Sequence, residues 1–243
     1  MALGKFITFE GGEGVGKSTQ IRLLAERLQQ QGIDCIQTRE PGGSSKAEAV
    51  RELLLSGTIA DMGIPPSGEA VLFAAARADH VDTKIRPALE QGQWVLCDRF
   101  MDSTRIYQGE SKEVSPELVN VLERLAIDGV RPDITFILDL RAEIGMARAN
   151  KRRAEGEAAD RFEREALTVH ENRRNAFLSL AYKDPKRCKV IDAFQSIEEI
   201  AQDIWEIVVR ELLQTEQGAS NPVQGNNPDQ HDAAPEQAKE EEQ

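Results

Sequence analysis

The sequence predicts an α/β fold, a five-stranded parallel sheet covered by helices on both faces. Five short apolar segments alternate with longer segments of helical periodicity, which is typical of parallel strands joined by crossover helices. A glycine-rich turn connects the first strand to the first helix. The 243 residues suffice for one large domain or two small ones. In such a sheet the carboxyl ends of the strands meet at one edge, where ligands bind.

The strands are predicted from short, apolar and β-branched runs. They are residues 5–10, 33–38, 94–99, 134–140 and 188–192. The helices are predicted from apolar side chains at helical spacing, with Gly32 and Gly92 as stops and Ser67 and Ser115 as caps. They run from the glycine-rich turn to 31, then over 47–55, 67–89, from 115, 167–182 and 196–213, with a loop at 57–66. We expect Pro87 to kink the third helix.

The turn after the first strand matches G-x-x-x-x-G-K-[ST] at every fixed position. It consists of Gly11, Gly12, Glu13, Gly14, Val15, Gly16, Lys17 and Ser18, and Thr19 follows. In such a turn backbone N–H groups converge on an anion beside a helix N-terminus. Lys17 is expected to face solvent-filled phosphate space and reach the β- and γ-phosphates, while the Ser18 hydroxyl binds Mg²⁺. The turn therefore predicts a nucleotide-phosphate site.

Charged residues at other strand ends narrow the class of protein. Asp98 ends the third strand and can help to hold Mg²⁺ through water, while the adjacent Arg99 can hold a second anion. A basic segment at about 148–164 combines several arginines with Gly156, which predicts a mobile lid. A surface helix with many ion pairs is the alternative for this segment. Because transfer between two anions needs several cations and little water, the pattern favours a kinase.

The net charge of −12 is unevenly distributed. Residues 216–243 hold seven acidic side chains and one lysine, a net charge of −6. The segment 215–243 is poor in aliphatic residues, so we predict a disordered acidic tail after a domain over 1–214. Without a basic stripe, a long apolar run or a secretory signal, we expect a cytoplasmic protein with no nucleic-acid or membrane partner. Cys35, Cys97 and Cys188 are predicted to be reduced core thiols.

Taken together, the motifs resemble those of bacterial thymidylate kinases (dTMP kinases) over about residues 5–210. They are FEGGEGVGKST at 9–19, TREPGG at 38–43, LFAAAR at 72–77, DRF at 98–100, DST at 102–104, YQG at 107–109 and DRFE at 160–163. The resemblance implies a P-loop fold with a lid. It also implies transfer of the ATP γ-phosphoryl group to dTMP, giving dTDP, with Mg²⁺ and in a homodimer.

The resemblance assigns roles on the acceptor side. Phe73 would stack on thymine and Arg77 would donate to a thymine carbonyl, as suits a planar pyrimidine. Tyr107 would lie beside C2′ and disfavour ribose, and Glu13 would approach the 3′-hydroxyl. The implied dTMP-binding residues are Arg39, Arg51, Phe73, Arg77, Arg99, Ser103, Thr104, Tyr107 and Gln108.

The resemblance also concerns the catalytic charge. In this family a catalytic arginine comes from the phosphate loop or from the lid, and here the loop has Gly14 and Val15. The lid is therefore expected to supply it, with Arg152, Arg153 and Arg161 as candidates and the last two preferred. The implied catalytic residues are Lys17, Arg99, Glu13, Arg153 and Arg161, and the metal ligands are Ser18 and Asp98.

Three positions depart from the usual family sequence. Asp79 stands where glutamine is usual, residues 110–113 replace glycine and arginine, and Ser44, Ser45 and Lys46 follow a loop usually continued by threonine. The departures affect the expected flap over the acceptor phosphate and the base preference. Two alternatives stay open: a kinase of UMP or CMP, and a P-loop nucleotide-binding protein without transfer activity.

Overall fold

The computed structural model describes residues 3–56, 58–109, 114–154, 162 and 165–214, with the backbone alone at 60 and 152–154. Its strands are β1 (Phe6–Glu10), β2 (Cys35–Arg39), β3 (Trp94–Asp98), β4 (Ile134–Asp139) and β5 (Cys188–Asp192). They form one sheet in the order β2-β3-β1-β4-β5, and all the pairings are parallel. The predicted five-stranded parallel sheet is confirmed.

The central strand β1 is buried on both faces of the sheet. Ile7 and Phe9 pack into one apolar cluster, while Phe6 belongs to another. Successive side chains of a strand point to opposite faces, so this strand needs helices on both sides. None of the described helices is long and apolar enough to cross a membrane.

Ten α-helices are described. They are α1 (Lys17–Gln30), α2 (Ser45–Ser56), α3 (Thr58–Asp61), α4 (Pro66–His80), α5 (Arg86–Glu90), α6 (Met101–Tyr107), α7 (Pro116–Ile127), α8 (Ala142–Ala154), α9 (Leu167–Lys183) and α10 (Ile197–Val208). Apolar residues of α1 and α10 join the cluster around Phe9, and Ala88 of α5 joins the cluster around Phe6. Helices therefore cover both faces of the sheet.

The third predicted helix differs from expectation at both ends. It begins at Pro66 and is preceded by Pro65, so the predicted cap at Ser67 is wrong. A π-helical turn, Val81–Ile85, separates α4 from α5. Pro87 follows this turn and has no N–H to donate within a helix, which explains why the regular pattern breaks here.

Helices α3 and α8 were not predicted. The short α3 lies within the expected loop at 57–66, and α8 extends into the first part of the predicted lid at about 148–164. At α7 the Ser115 side chain accepts from the Leu118 N–H, as expected of a cap. Ser196, where the last predicted helix begins, forms a capping box with Glu199. Cys97 and Cys188 are buried, and burial raises the pKa of both thiols, as expected of core cysteines. Cys35 is only partly buried, so the prediction of a core position is wrong for this residue.

Candidate active site

The phosphate loop lies at the carboxyl end of the central strand, between β1 and α1. The strands β2 and β3 lie on one side of β1, and β4 and β5 lie on the other. Open parallel sheets bind ligands at the point where the strand order reverses in this way. Gly14 and Gly16 have φ angles of +67° and +98°, which side-chain-bearing residues rarely adopt. The loop leads directly into the N-terminus of α1, the arrangement of an anion site.

Gly14 also contacts α8 through its backbone. A Cβ at Gly14 would lie 2.0 Å from the carbonyl oxygen of Gly145, and one at Gly145 would lie 2.3 Å from the carbonyl oxygen of Glu13. The two backbones approach this closely because neither glycine has a side chain. An arginine at position 14 would therefore require α8 to move.

We expect Gly14→Ala to lower the free energy of unfolding by about 1–3 kcal/mol more than Gly32→Ala does. Gly32 has a similar φ angle of +73°, but an added Cβ there would meet nothing within 4 Å. The control therefore measures backbone strain alone, and the difference measures the contact with α8. Urea unfolding of both variants tests this prediction, and equal losses would contradict it.

Lys17 is more buried than the sequence suggested. Only 7% of its surface is exposed, so Lys17 faces the enclosed cavity at the phosphate loop and almost no bulk solvent. Its Nζ donates to the carbonyl oxygens of Gly12 at 2.8 Å and Gly11 at 3.4 Å. Burial lowers the pKa of Lys17, and the neighbouring Arg99 lowers it further. The lysine still lines the same cavity as the loop.

Ser18 and Asp98 are adjacent in space. The Ser18 hydroxyl donates to Oδ2 of Asp98 at 2.8 Å. Both provide hard oxygen atoms, which suit Mg²⁺ when substrate phosphates supply its other ligands. Within the described ranges no group of three or more His, Cys, Asp or Glu residues could hold a metal ion. The donor set thus fits an ion that arrives with a nucleotide.

Arg99 connects the phosphate loop to α6. Its Nη2 donates to Oε1 of Glu13 at 2.5 Å, and its Nη1 donates to the carbonyl oxygen of Gly11 at 3.1 Å. The Tyr107 hydroxyl donates to the same Glu13 oxygen at 3.0 Å. The Tyr107 ring centroid lies 5.0 Å from the Arg99 guanidinium carbon. One carboxylate thus links a strand-end arginine to the tyrosine of α6.

The charges of this cluster are set by burial and by one another. Burial would raise the pKa of Glu13, but Arg99, Lys17 and the Tyr107 hydroxyl outweigh it and lower the pKa to about 2. Burial would lower the pKa of Arg99, but Glu13 and other neighbours raise it. Burial raises the pKa of Tyr107. At neutral pH the cluster is therefore a carboxylate, a guanidinium and a neutral phenol.

A buried ion pair fixes Arg77. Its Nε donates to Oε2 of Glu40 at 2.6 Å, its Nη1 to the Thr104 hydroxyl at 2.8 Å, and its Nη2 to the carbonyl oxygen of Phe100 at 3.0 Å. His80 Nδ1 lies 3.0 Å from Oε1 of the same glutamate. These contacts use three of the five guanidinium N–H donors.

Glu10 positions the start of α6. Its Oε1 accepts from the backbone N–H groups of Phe100 at 2.7 Å and Ser103 at 3.2 Å, and its Oε2 accepts from the Ser103 hydroxyl at 2.6 Å. Burial, assisted by the charge of Asp102, raises the pKa of Glu10 to about 7. Asp102 in turn receives two hydrogen bonds from Arg187, at 2.6 and 3.0 Å. Buried acids thus hold the helix that carries Thr104 and Tyr107.

One cavity joins these groups. The predicted residues that line it are Glu13, Gly14, Val15, Gly16, Lys17, Ser18, Thr19, Arg39, Arg51, Phe73, Arg77, Asp98, Arg99, Ser103, Thr104, Tyr107 and Gln108. Gly11 and Gly12 begin the same loop. The lining residues that were not predicted are Glu40, Pro41, Leu55, Phe100 and Phe162. The structure brings the predicted residues together, while their roles toward ligands stay predictions.

Two predicted acceptor-site arginines have partners at this cavity. Arg39 is exposed, and its Nη2 lies 3.2 Å from Oε2 of Glu48. Arg51 Nη1 donates to the carbonyl oxygen of Pro41 at 2.7 Å. Arg39 is the last residue of β2, and the Arg51 guanidinium contacts the loop that follows this strand. Both predicted arginines therefore lie at the same side of the cavity.

Comparison with known proteins identifies the family. A family model described as thymidylate kinase matches residues 9–204. The chain belongs to the thymidylate kinase family. The predicted family is thus confirmed, and with it the P-loop fold and the class of enzyme, an ATP-dependent nucleoside monophosphate kinase for dTMP.

Individual members of the family are similar over most of their length. The thymidylate kinase of Nitrobacter winogradskyi is 54% identical over 202 residues, which cover 83% of this chain and 86% of the relative. That of Rhodopseudomonas palustris strain BisB18 is 52% identical over 210 residues, covering 86% and 90%. A crystal structure of thymidylate kinase from Ehrlichia chaffeensis matches with a TM-score of 0.65 at 34% identity, covering 84% of this chain and 98% of that one.

Two of the three departures from the family sequence contact each other. Asp79 Oδ2 accepts from the Ser44 hydroxyl at 2.5 Å, and Asp79 Oδ1 lies 3.5 Å from Lys46 Nζ. The acid on α4 is therefore matched by a hydroxyl in the loop after β2 and an amine in the first turn of α2. The third departure, at 110–113, lies outside the described residues.

The lid and the tail were predicted for segments that are mostly not described. Helix α8 ends at Ala154, Arg152 and Arg153 are described by their backbone alone, and Arg161 lies outside the described residues, as does the segment 215–243. Phe162 is described, and its ring centroid lies 6.4 Å from that of Phe73 and 5.5 Å from that of Tyr107. An aromatic side chain of the predicted lid segment thus lines the cavity.

Proposed function

We propose that the protein transfers the γ-phosphoryl group of ATP to dTMP, giving dTDP and ADP for dTTP synthesis. The observation that carries this proposal is the single cavity that the phosphate loop lines together with Phe73 and Arg77. Such a cavity can hold a phosphate donor and a planar acceptor base side by side. Membership of the thymidylate kinase family supports dTMP as the acceptor.

On the donor side, Lys17 would exchange the carbonyl oxygens of the loop for the β- and γ-phosphates of ATP. Ser18 and Asp98, whose oxygens are 2.8 Å apart, are proposed to hold Mg²⁺. When bound, the ion would neutralise charge on the phosphates. The loop N–H groups and the N-terminus of α1 would complete the cradle.

On the acceptor side, Arg99 is proposed to hold the dTMP phosphate. Arg39, which is exposed at the edge of the cavity, would contact the same phosphate. The Nη1 atom of Arg99 lies 3.3 Å from the Ser103 hydroxyl, so Glu10, through Ser103, would keep the guanidinium in place. Glu13 would accept from the 3′-hydroxyl of the sugar. Its low pKa keeps it a carboxylate at neutral pH, which suits this role.

The base would lie against Phe73 on α4. Arg77 is held by Glu40 and Thr104, and the described contacts leave two of its five N–H donors for a thymine carbonyl. Polar contacts to the base or the sugar would come from Ser103 and Thr104 on α6 and from Gln108 at its C-terminal end. Tyr107 would close the space beside C2′ of the sugar.

The lid is proposed to provide the remaining catalytic charge through Arg153 or Arg161. The support is the contact between Gly14 and Gly145, which leaves no room for an arginine at position 14 of the phosphate loop. Since the loop itself contributes only Lys17, a further cation must reach the transferring group from elsewhere.

A cytoplasmic homodimer is proposed for the assembly. Val71 on α4 and Val121 and Leu125 on the neighbouring α7 are 46%, 41% and 70% exposed. Exposed apolar side chains on two packed helices support a subunit interface there. The acidic segment 215–243 is proposed to lie outside the catalytic domain.

Incubation with ATP, Mg²⁺ and each of dTMP, UMP, CMP and AMP tests the function. We expect dTMP to give the highest kcat/KM, because Phe73, Arg77 and Tyr107 would favour a thymine base on a deoxyribose. Preferred turnover of UMP or CMP would favour the alternative kinase. Nucleotide binding without transfer to any acceptor would favour a P-loop protein that lacks the activity.

A further inference from the structure

A buried arginine on α9 lies behind the acceptor side of the cavity. Arg173 is 5% exposed, and its guanidinium carbon lies 4.2 Å from the centroid of the Tyr107 ring. The same carbon lies 5.7 Å from the centroid of the Phe162 ring. Both rings line the cavity, whereas Arg173 does not. Its contacts therefore reach the cavity through these two aromatic side chains.

Tyr107 is the more closely held of the two rings. The guanidinium groups of Arg173 and Arg99 lie 4.2 and 5.0 Å from its centroid, and its hydroxyl donates to Glu13. A cation over an aromatic face is attracted to it, and more strongly where water is excluded. Arg173 thus restrains the ring whose hydroxyl holds the carboxylate of the phosphate loop.

Arg173 also contacts the chain that leads out of the predicted lid. Its Nη1 forms an ion pair with Glu165, three residues beyond Phe162. One side chain therefore touches the lid segment and the α6 tyrosine together.

The guanidinium is nevertheless incompletely satisfied. Its Nε is buried and has no hydrogen-bond partner among the residues that the structure describes. A buried donor without an acceptor, on a buried cation, disfavours the folded state. A side chain selected only for packing would be apolar here, so the arginine points to a role in function.

We infer that Arg173 is a positioning residue for the acceptor nucleotide, acting by holding Tyr107 and Phe162 in place. This inference rests on the proposed function, because it assumes that the two rings contact dTMP. Among the described residues, Arg173 reaches the phosphate loop through Tyr107 and Glu13. Because Glu13 is assigned to the acceptor sugar, binding of ATP is expected to be independent of Arg173.

The test is steady-state kinetics of Arg173→Met with dTMP and ATP varied in turn. We expect the KM for dTMP to rise about tenfold, which corresponds to the loss of one desolvated cation–π contact. The KM for ATP should change by less than about twofold. Because methionine fills the site without a buried charge, the melting temperature should stay the same or rise. Arg173→Lys keeps the charge without the planar fork, so its KM for dTMP should fall in between.

Arg174→Met is the matched control, since Arg174 is the next residue of α9 and pairs with Asp139 at 2.6 and 3.0 Å. It should leave the ratio of the two KM values unchanged. In a Tyr107→Leu background, Arg173→Met should no longer raise the KM for dTMP by more than about twofold. A persistent tenfold rise there, equal shifts for both substrates, or no shift in either Arg173 variant would overturn the inference. Failure of the parent protein to phosphorylate dTMP would instead contradict the proposed function.

Discussion

Replacing Lys17 with alanine is expected to lower kcat by about 10²–10³-fold, the loss typical of one preorganised group that stabilises charge in the transition state. Lys17 is the cation that the phosphate loop itself contributes, and its Nζ now donates to the carbonyl oxygens of Gly12 and Gly11. The fold should tolerate the change, because burial already disfavours the charged amine. Rate measurements at saturating ATP and dTMP, together with a melting curve, test both statements.

Lys46→Ala is the control for this experiment. Lys46 follows the loop after β2, is 83% exposed, and pairs with Asp79 at 3.5 Å, so its loss should leave turnover unchanged. A folded Lys17→Ala protein with kcat within about tenfold of the parent would contradict the assignment of Lys17 to the phosphates.

The sheet could be predicted from sequence because its three central strands, β3, β1 and β4, are buried on both faces. The central strand and its neighbour β4 are almost continuous apolar runs, a signal that does not depend on the rest of the chain. The last strand was predicted with its observed limits, Cys188–Asp192. Local signals also predicted where α1 ends and where α7 begins. Gly32 after α1 has a positive φ angle, and the Ser115 side chain caps α7.

Helix α8 could not be predicted because it packs through small residues. Ala142, Gly145 and Ala149 are its buried positions over 142–151, and they provide no stripe of large apolar side chains. Gly145 is needed because a Cβ there would lie 2.3 Å from the carbonyl oxygen of Glu13 in the phosphate loop. The requirement comes from a contact with a segment about 130 residues away in the chain, which periodicity does not report.

The supporting acids of the site were missed for a similar reason. Glu10 is the last residue of β1, as Asp98 is of β3, and Glu40 directly follows β2, so a signal was present. Their partners Ser103 and Arg77 are 93 and 37 residues away. Charged residues are mostly exposed, and only the fold shows that these two are buried and paired. The burial of Lys17 was missed because neighbouring elements enclose it.

Arg99→Met is expected to reduce kcat/KM for dTMP by about 10³-fold, as loss of an arginine that stabilises phosphoryl transfer can do. It should also lower the free energy of unfolding by about 3–5 kcal/mol, because it leaves the Glu13 carboxylate buried without its closest cation. Methionine at a φ angle of +66° adds no strain that arginine did not already have. Kinetics and urea unfolding of the same protein measure the two effects.

The stability loss should depend on pH, and its sign follows from Glu13. In the parent the pKa of Glu13 lies at about 2, below its ordinary value of 4.5, so this group stabilises the fold above about pH 4.5 and loses that effect as the pH falls toward 2. Without Arg99 the pKa of Glu13 moves upward, because burial then faces less opposing charge. The gap in stability between parent and variant should therefore shrink when the pH is lowered from about 7 to about 4.

Adding Glu13→Gln to Arg99→Met separates the structural effect from the chemical one. The amide removes the unpaired charge, so the double variant should regain most of the lost stability at about pH 7. The part of the pH dependence of its stability that Glu13 causes should disappear. Its activity should stay low, since neither the cation for the acceptor phosphate nor the carboxylate is restored. If the double variant recovered activity together with stability, Arg99 would serve only to neutralise Glu13. A gap that widened at low pH would mean that Glu13 is not the group exposed by the loss of Arg99.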